Sequence, residues 1–311
     1  MKRKLKRKVK LIYLNLFEYY NKIYLKLCLN KKNKDLSCDK KLCSKLSGER
    51  IVILAPHVDD ETIGCGGAMI KYLEEHKEIF IVYLTNGAKQ GSSKNKNDVK
   101  LERMKEAMNI ADALKINQNH LYFLDGEDGD LLNSHIVDEL HEILKTIEPD
   151  TIFIPGLLDT HIDHYAVTDI LYKIYQKNPE WFKDLNLFLY ESQSPTTTSY
   201  ANVCLDISKE IEFKKSLFKI FKSQPSDFLF SISLSNLNGV SLGQNVFCEN
   251  YIKTSFVKYF NFYKKNFQSV DDYLTIKSKL IPHGDSSTLV KSYNSSLENK
   301  KIYNKYFNDM E

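Results

Sequence analysis

From residue 50 onward, short apolar runs alternate with stretches of helical period. The first run, Ile51-Val-Ile-Leu-Ala55, shows no polar alternation, the pattern of a strand buried on both faces. A helix is predicted over Thr62–Glu75 and a second strand over Ile79–Leu84. Leu101, Met104, Met108, Ala111 and Leu114 recur at helical spacing and mark another helix, followed by a strand over Leu121–Leu124. Ile136, Val137, Leu140, Ile143, Leu144 and Ile147 mark a helix that ends before Pro149. Thr151–Pro155 and Leu187–Tyr190 read as two further strands. Beyond residue 195 the periodicity weakens, and only a mixed α+β region is expected there. No internal repeat or low-complexity block interrupts the pattern.

Strands and helices in this order predict a mainly parallel sheet with right-handed crossovers and helices on both faces, a Rossmann-like α/β fold. Ahead of it, residues 1–49 read as a basic amphipathic helix followed by a Lys-, Asn- and Ser-rich linker. The main domain is expected over residues 50–265, with a C-terminal extension over residues 266–311. With 311 residues and 42% apolar side chains, the chain can bury a sizeable core.

Charge is unevenly placed. Seven of the first ten residues are Lys or Arg, and without them the net charge of +4 drops to −3. A nucleic-acid binder carries its basic surface through the fold, so a terminal block argues against nucleic acid. In the following segment Asn15, Glu18, Lys22 and Lys26 share one helical stripe, while Leu14, Phe17, Leu25 and several tyrosines fill the rest. Such a helix can rest through residues 1–28 on an anionic membrane surface, or pack against the main domain or a partner subunit. No uncharged run of 18 residues exists, so no membrane-spanning helix is expected. The six cysteines form no CxxC pair and read as reduced thiols, which fits a cytoplasmic setting, peripheral at the inner membrane face if the helix docks there.

In a doubly wound sheet, function sits beyond the carboxyl ends of the strands. Two segments at such ends carry dense chemistry: Pro56-His-Val-Asp-Asp-Glu61 and His161-Ile-Asp-His164. Imidazoles and a carboxylate suit Zn²⁺, which in catalytic sites takes three protein ligands and keeps a position open for water. His57 and Asp60 can converge on one ion, with His164 arriving from the later loop. The same donor set also suits Fe(II). Asp59 then stays free to accept a proton from the water. His161, oriented by Asp163, can protonate a leaving amine or stabilise an oxyanion. Glu61 fits a helix-capping role. Gly64, Gly66 and Gly67 do not have the G-x-G-x-x-G spacing that dinucleotide binding needs directly after the first strand.

At these residues the chain resembles the LmbE-like/PIG-L family of zinc-dependent N-deacetylases, whose markers are a PHPDDE-type and a later HPDH-type motif. Val58 and Ile162 stand where those motifs carry proline. The resemblance extends over about residues 50–260, through Thr85-Asn86-Gly87, Arg103 with Glu106, Phe123–Gly129, Tyr190-Glu191, Ser223-Gln224 and Gly243–Glu249. It implies His57, Asp60 and His164 as metal ligands, Asp59 as general base and His161 as its acid or electrostatic partner. It also implies that Arg103 and Asp128 hydrogen-bond sugar hydroxyls; the plainer alternatives are a helix salt bridge for Arg103 and a turn before Gly129 for Asp128. Cys65 reads as a small buried residue rather than a fourth ligand. The implied activity is removal of the acetyl group from an N-acetylglucosamine-bearing glycoside, a small-molecule or lipid-linked amino sugar. An amidase for another N-acyl substrate and a catalytically silent carbohydrate-binding protein are the rivals, and a homo-oligomer is compatible with the sequence.

Overall fold

A computed structural model describes residues 42–88, 95–196, 200–224, 226–267, 269–282 and 289–306, with the isolated helical positions Leu16, Tyr19, Tyr20, Ile23 and Leu27. Most of the expected N-terminal amphipathic helix, and the Lys-rich stretch containing Cys38, lie outside the described residues.

Eight strands among the described residues form one sheet. They are β1 (Leu42–Cys43), β2 (Arg50–Ala55), β3 (Glu78–Thr85), β4 (Leu121–Gly126), β5 (Thr151–Pro155), β6 (Asn186–Tyr190), β7 (Val203–Asp206) and β8 (Cys248–Ser255). Their spatial order is β1-β7-β8-β6-β5-β2-β3-β4, with every neighbouring pair parallel except those made by β8. The helices are α1 (Asp60–Glu74), α2 (Lys96–Leu114), α3 (Val137–Ile147), α4 (Ile162–Lys177), α5 (Ile211–Phe218), α6 (Leu229–Ser241), α7 (Phe256–Asn266), α8 (Val270–Lys277) and α9 (Leu289–Tyr306).

The residues of β2 alternate between two cores. Ile51, Ile53 and Ala55 pack under α1, α2 and α5, while Val52 and Leu54 pack against α3, α4 and α7. Both faces are therefore covered, which explains the unbroken apolar run. From β2 the chain steps outward to β3 and β4, then crosses back to place β5 on the other side of β2. The winding reverses between β2 and β5, and the loops that leave these two strands face each other across that crevice.

Helix α2 stands where the periodicity marks it. Leu101 and Met108 are 63% and 37% exposed, whereas Arg103 and Glu106 are buried. Its inward face carries Val99, Ala107, Ile110, Ala111 and Leu114 beside Arg103 and Glu106. In the weakly periodic region past residue 195, β7 and β8 extend the same sheet, and Cys43 of the polar stretch pairs with β7 at its edge. α9 returns to the domain: Tyr303 is 1% exposed in the core, and Asn299 pairs with both backbone groups of Ile281.

Glu191, just after β6, is 7% exposed and accepts a hydrogen bond from Asn238 on α6 at 2.9 Å. Burial raises its carboxyl from 4.5 to about 8, so the folded protein holds a proton that the unfolded chain releases. Stability should therefore be full below pH 4.5 and fall as the pH rises towards about 8. Glu191→Gln should flatten that part of the profile, read from urea midpoints at pH 5 and pH 9; an unchanged slope would mean that Glu191 is ionised in the fold.

Candidate active site

His57 leaves the end of β2, and Asp59 and Asp60 start α1. Asp59 has φ 145°, in the region that side-chain-bearing residues rarely adopt, at a strain of about 1–3 kcal/mol. The turn is held from both sides. Glu61 accepts the Asp59 amide at 3.0 Å, and the Asp59 carbonyl accepts the amides of Thr62 and Ile63 at 3.0 and 2.8 Å. The result points the two neighbouring carboxylates in different directions.

Asp60, 1% exposed, faces inward. Its Oδ2 lies 3.1 Å from His57 Nδ1 and 3.2 Å from His164 Nε2, and Ser192 Oγ donates to its Oδ1 at 2.5 Å. His164 comes from the first turn of α4, beyond β5, so the two motifs meet as their strand ends predict. Each ring has a second carboxylate on its far side. Asp163 Oδ2 lies 3.1 Å from His57 Nε2, and Asp159 Oδ1 lies 3.1 Å from His164 Nδ1. Outer carboxylates of this kind fix the orientation of metal-binding imidazoles.

The Asp163 carboxylate, expected to orient His161, lies 3.9 Å from His161 Nδ1 and closer to His57, at 3.1 Å from Nε2, while accepting the amides of Gly129 and Leu131 at 2.7 and 3.1 Å. The loop after β4 thereby fixes the carboxylate that orients a ring after β2. His161 contacts Asp163 through the backbone: its Nδ1 accepts the Asp163 amide at 3.2 Å as the N-cap of α4. A neutral His161 then carries its proton on Nε2. The His57 and His161 rings meet edge to face at 4.5 Å.

The carboxylates set the electrostatics. Burial disfavours a charged His57, yet Asp128, Asp163 and Asp60 outweigh it and hold its pKa well above the ordinary histidine value. Burial likewise opposes protonation of His164, but Asp60 and Asp159 raise it to about 10. Burial and the neighbouring cationic rings push His161 down to about 4. The adjacent aspartates separate: burial and Asp60 raise Asp59 well above the carboxylate range, whereas the two imidazoles overcome burial and hold Asp60 well below it.

This cluster fits a divalent cation. Neither nitrogen of His164 has an aligned hydrogen bond, although both have a carboxylate oxygen close by. Four buried carboxylates, Asp60, Asp128, Asp159 and Asp163, drive two rings to protonate and create the negative field a dication would neutralise. Ring nitrogens of His57, His161 and His164 lie within 4.8 Å of one another, as do ligand atoms of His57, Asp128, His161 and Asp163.

A cavity of about 260 Å³ opens beside the cluster, with Asp59, Asp128, His161, Arg103, Gln193 and Gln224 among its lining residues. The Asp59 carboxylate makes no hydrogen bond among the described residues. Arg103 is 3% exposed and packs over Gly87, with Nη1 in an ion pair at 3.8 Å from Glu106 and without a hydrogen bond among the described residues. Glu106 accepts both the amide and the hydroxyl of Ser223 at 2.7 and 2.6 Å, and Gln224 donates to the Val58 carbonyl at 2.8 Å. Helix α2 thus secures the segment that braces the metal-motif loop. Asp159 and Ser192 had no assigned role in the sequence reading. Asp159 lies two residues before His161, a spacing that could have flagged it, whereas nothing local marks Ser192.

Fold and donor set define an α/β protein with two imidazoles and a carboxylate gathered at the switch point of its sheet. Residues 52–175 match the family model of PIG-L, GlcNAc-PI de-N-acetylase. The solved N,N'-diacetylchitobiose deacetylase of Pyrococcus horikoshii aligns with a TM-score of 0.58 at 21% identity, covering 68% of this chain and 86% of that one. A conserved protein of Thermus thermophilus gives 0.55 at 24% identity, covering 65% and 93%. The 4-carboxy-2-hydroxymuconate hydratase of Pseudomonas putida gives 0.57 at 16% identity, covering 66% and 95%. Likenesses at these identities establish the fold, and a hydratase among them shows that the fold alone does not fix the reaction. A glucosamine-6-phosphate deaminase-like protein of Bacteroides thetaiotaomicron is 22% identical over 46% of this chain, which spans 30% of that protein's length.

Asp163→Asn should weaken divalent-metal binding by roughly 10- to 100-fold, because the His57 ring loses the negative charge of the acceptor that orients it. Competition with a chelating dye measures this. Unchanged metal affinity with lowered turnover would return Asp163 to His161.

Proposed function

We propose that this chain is a zinc-dependent deacetylase that removes the acetyl group from an N-acetylglucosamine-bearing glycoside. The observation that carries the reading is the division of labour between adjacent carboxylates: Asp60 is paired between two imidazoles, while Asp59 faces the cavity unpaired. Enzymes that must both bind a metal and move a proton need two such environments side by side.

On this reading His57, Asp60 and His164 would hold the ion, and zinc, or Fe(II) on the same donors, would supply a water acidified to a pKa of about 7 and a Lewis acid for the amide carbonyl. Asp59 would accept a proton from the attacking water, and its raised pKa makes it a stronger base than an ordinary carboxylate. His161 presents Nε2–H to the oxyanion as the carbonyl carbon becomes tetrahedral. Its neutral state at pH 7 favours this donor role over protonation of the amine by an imidazolium. Asp59, once protonated, is placed to return the proton to the leaving nitrogen. Arg103 and Asp128 line the same cavity and supply a donor and an acceptor for sugar hydroxyls.

Acetate release from a panel of N-acetylglucosaminides, with and without chelator, tests the reaction. Asp59→Ala should lose at least 100-fold in kcat and keep stoichiometric zinc, since general-base catalysis contributes about 10²–10⁴-fold. A variant as active as wild type would sink the assignment. Release from other N-acyl substrates alone would shift the activity to a different amidase.

The N-terminal segment bears on where such a substrate is met. Leu16, Tyr19, Tyr20, Ile23 and Leu27 follow helical spacing and are 44–65% exposed, behind a block of seven basic residues. No helix among the described residues is long and apolar enough to cross a membrane. A helix of this kind suits an anionic bilayer surface, on which it would lie flat and favour a lipid-linked amino sugar. Full-length protein should sediment with anionic vesicles and lose that binding when residues 1–30 are deleted; equal partition of both forms would remove the membrane contact.

A further inference from the structure

Helix α1 is cross-braced one turn beyond Asp60 by two buried charges. In a regular helix the amides of Gly67 and Ala68 bond the carbonyls of Ile63 and Gly64. Here Gly67 N donates to Glu249 Oε1 at 2.7 Å and Ala68 N to Glu249 Oε2 at 2.9 Å. On the facing carbonyls, Ile63 O accepts from Lys214 Nζ at 2.8 Å and Ser231 Oγ at 3.3 Å, and Gly64 O accepts from Tyr251 OH at 3.1 Å. Three of the four backbone groups of two successive helical bonds thus have a side-chain partner of their own, and the fourth, Gly64 O, shares the single Tyr251 hydroxyl proton with Glu249 Oε2.

The brace is closed on itself. Lys214 Nζ lies 2.8 Å from Glu249 Oε1, and Tyr251 OH donates to Glu249 Oε2 at 2.7 Å, so the carboxylate meets four donors. Lys214 is 0% and Glu249 4% exposed. Gly67 makes room for this approach, since a Cβ there would lie 2.3 Å from Ile207 Cγ2 and 3.1 Å from Glu249 Oε1. Neither charged residue lines the cavity beside His57, so neither meets substrate.

A buried ion pair is a poor source of stability, because apolar replacements of similar volume are often neutral or better. Its value is directional. We propose that Lys214 and Glu249 are positioning residues: by engaging the ladder between Ile63 and Ala68 they set the angle of the first turn of α1. That angle lets Asp60 face the two imidazoles while the neighbouring Asp59 faces the cavity. The hydrogen-bonding side chains come from α5, α6 and β8, so the mixed C-terminal region governs a metal-ligand turn that lies about 150 residues earlier in the chain.

The double variant Lys214→Met/Glu249→Leu removes both charges together and leaves the backbone of α1 to its own helical bonds. Expected are a thermal midpoint no lower than that of wild type, zinc affinity reduced at least 10-fold in competition with a chelating dye, and kcat reduced at least 10-fold with little change in KM. A merely structural pair would give the opposite split: an altered midpoint with wild-type zinc affinity and kcat, and that result overturns the proposal. If the double variant does not fold, Glu249→Gln takes its place, since it keeps one acceptor oxygen. Weakened zinc binding in the folded variant, measured well below its midpoint, then supports positioning, and unchanged zinc binding overturns it. The kcat arm rests on the deacetylase reading, whereas zinc affinity needs no substrate, so failure of that reading stays separate from failure of this one.

Discussion

The Asp60 carboxylate, held between His57 and His164, is the interaction on which the site depends. It joins the loop after β2 to the first turn of α4, and its carboxylate is 1% exposed. Four carboxylates, Asp60, Asp128, Asp159 and Asp163, are buried with two imidazoles, which is tolerable because each ring has carboxylates beside both of its nitrogens. Removing any one member would leave a partner unpaired, at about 3–5 kcal/mol. The arrangement also explains why the sheet winds as it does. Only at the reversal between β2 and β5 do two strand ends emerge side by side with nothing between them.

The same cluster makes neighbours in sequence chemically unlike. Asp59 and Asp60 differ by one position, yet the strained Asp59 backbone turns one side chain to the cavity and the other to the imidazoles. Burial acts on both carboxylates, and what separates them is the company each keeps. Backbone strain at Asp59 is balanced by Glu61 and by the helix it starts. Further along α1, side chains from the C-terminal half take hold of the backbone. The site is therefore assembled from the whole sheet, although its reactive groups come from two short segments.

Much of this was legible in the sequence because strand burial and strand-end chemistry are local signals. The apolar runs of β2 and β5, followed directly by clustered His and Asp, located the crevice and the groups in it. Contacts that depend on rotation or on distant partners were not legible. The face α2 presents was not legible because Leu101 and Met108 outweigh alanines in any hydrophobic pattern, while Arg103 and Glu106 are inside beside the cavity and Ser223. Asp163 was paired with His161 by closeness in sequence, but the N-cap of α4 turns its carboxylate toward His57. The antiparallel strand β8 carries Glu249, whose partners are 182 and 35 residues away, a separation that no local pattern encodes.

The most direct measurement is a crystal structure grown with one equivalent of zinc, with the ion placed by its anomalous scattering. The account predicts a single ion bonded to His57, Asp60 and His164 at about 2.0–2.2 Å, with the Asp59 carboxylate unbound and facing the remaining position. An ion held by Asp128, His161 and Asp163, or one that takes Asp59 as a ligand, would contradict it.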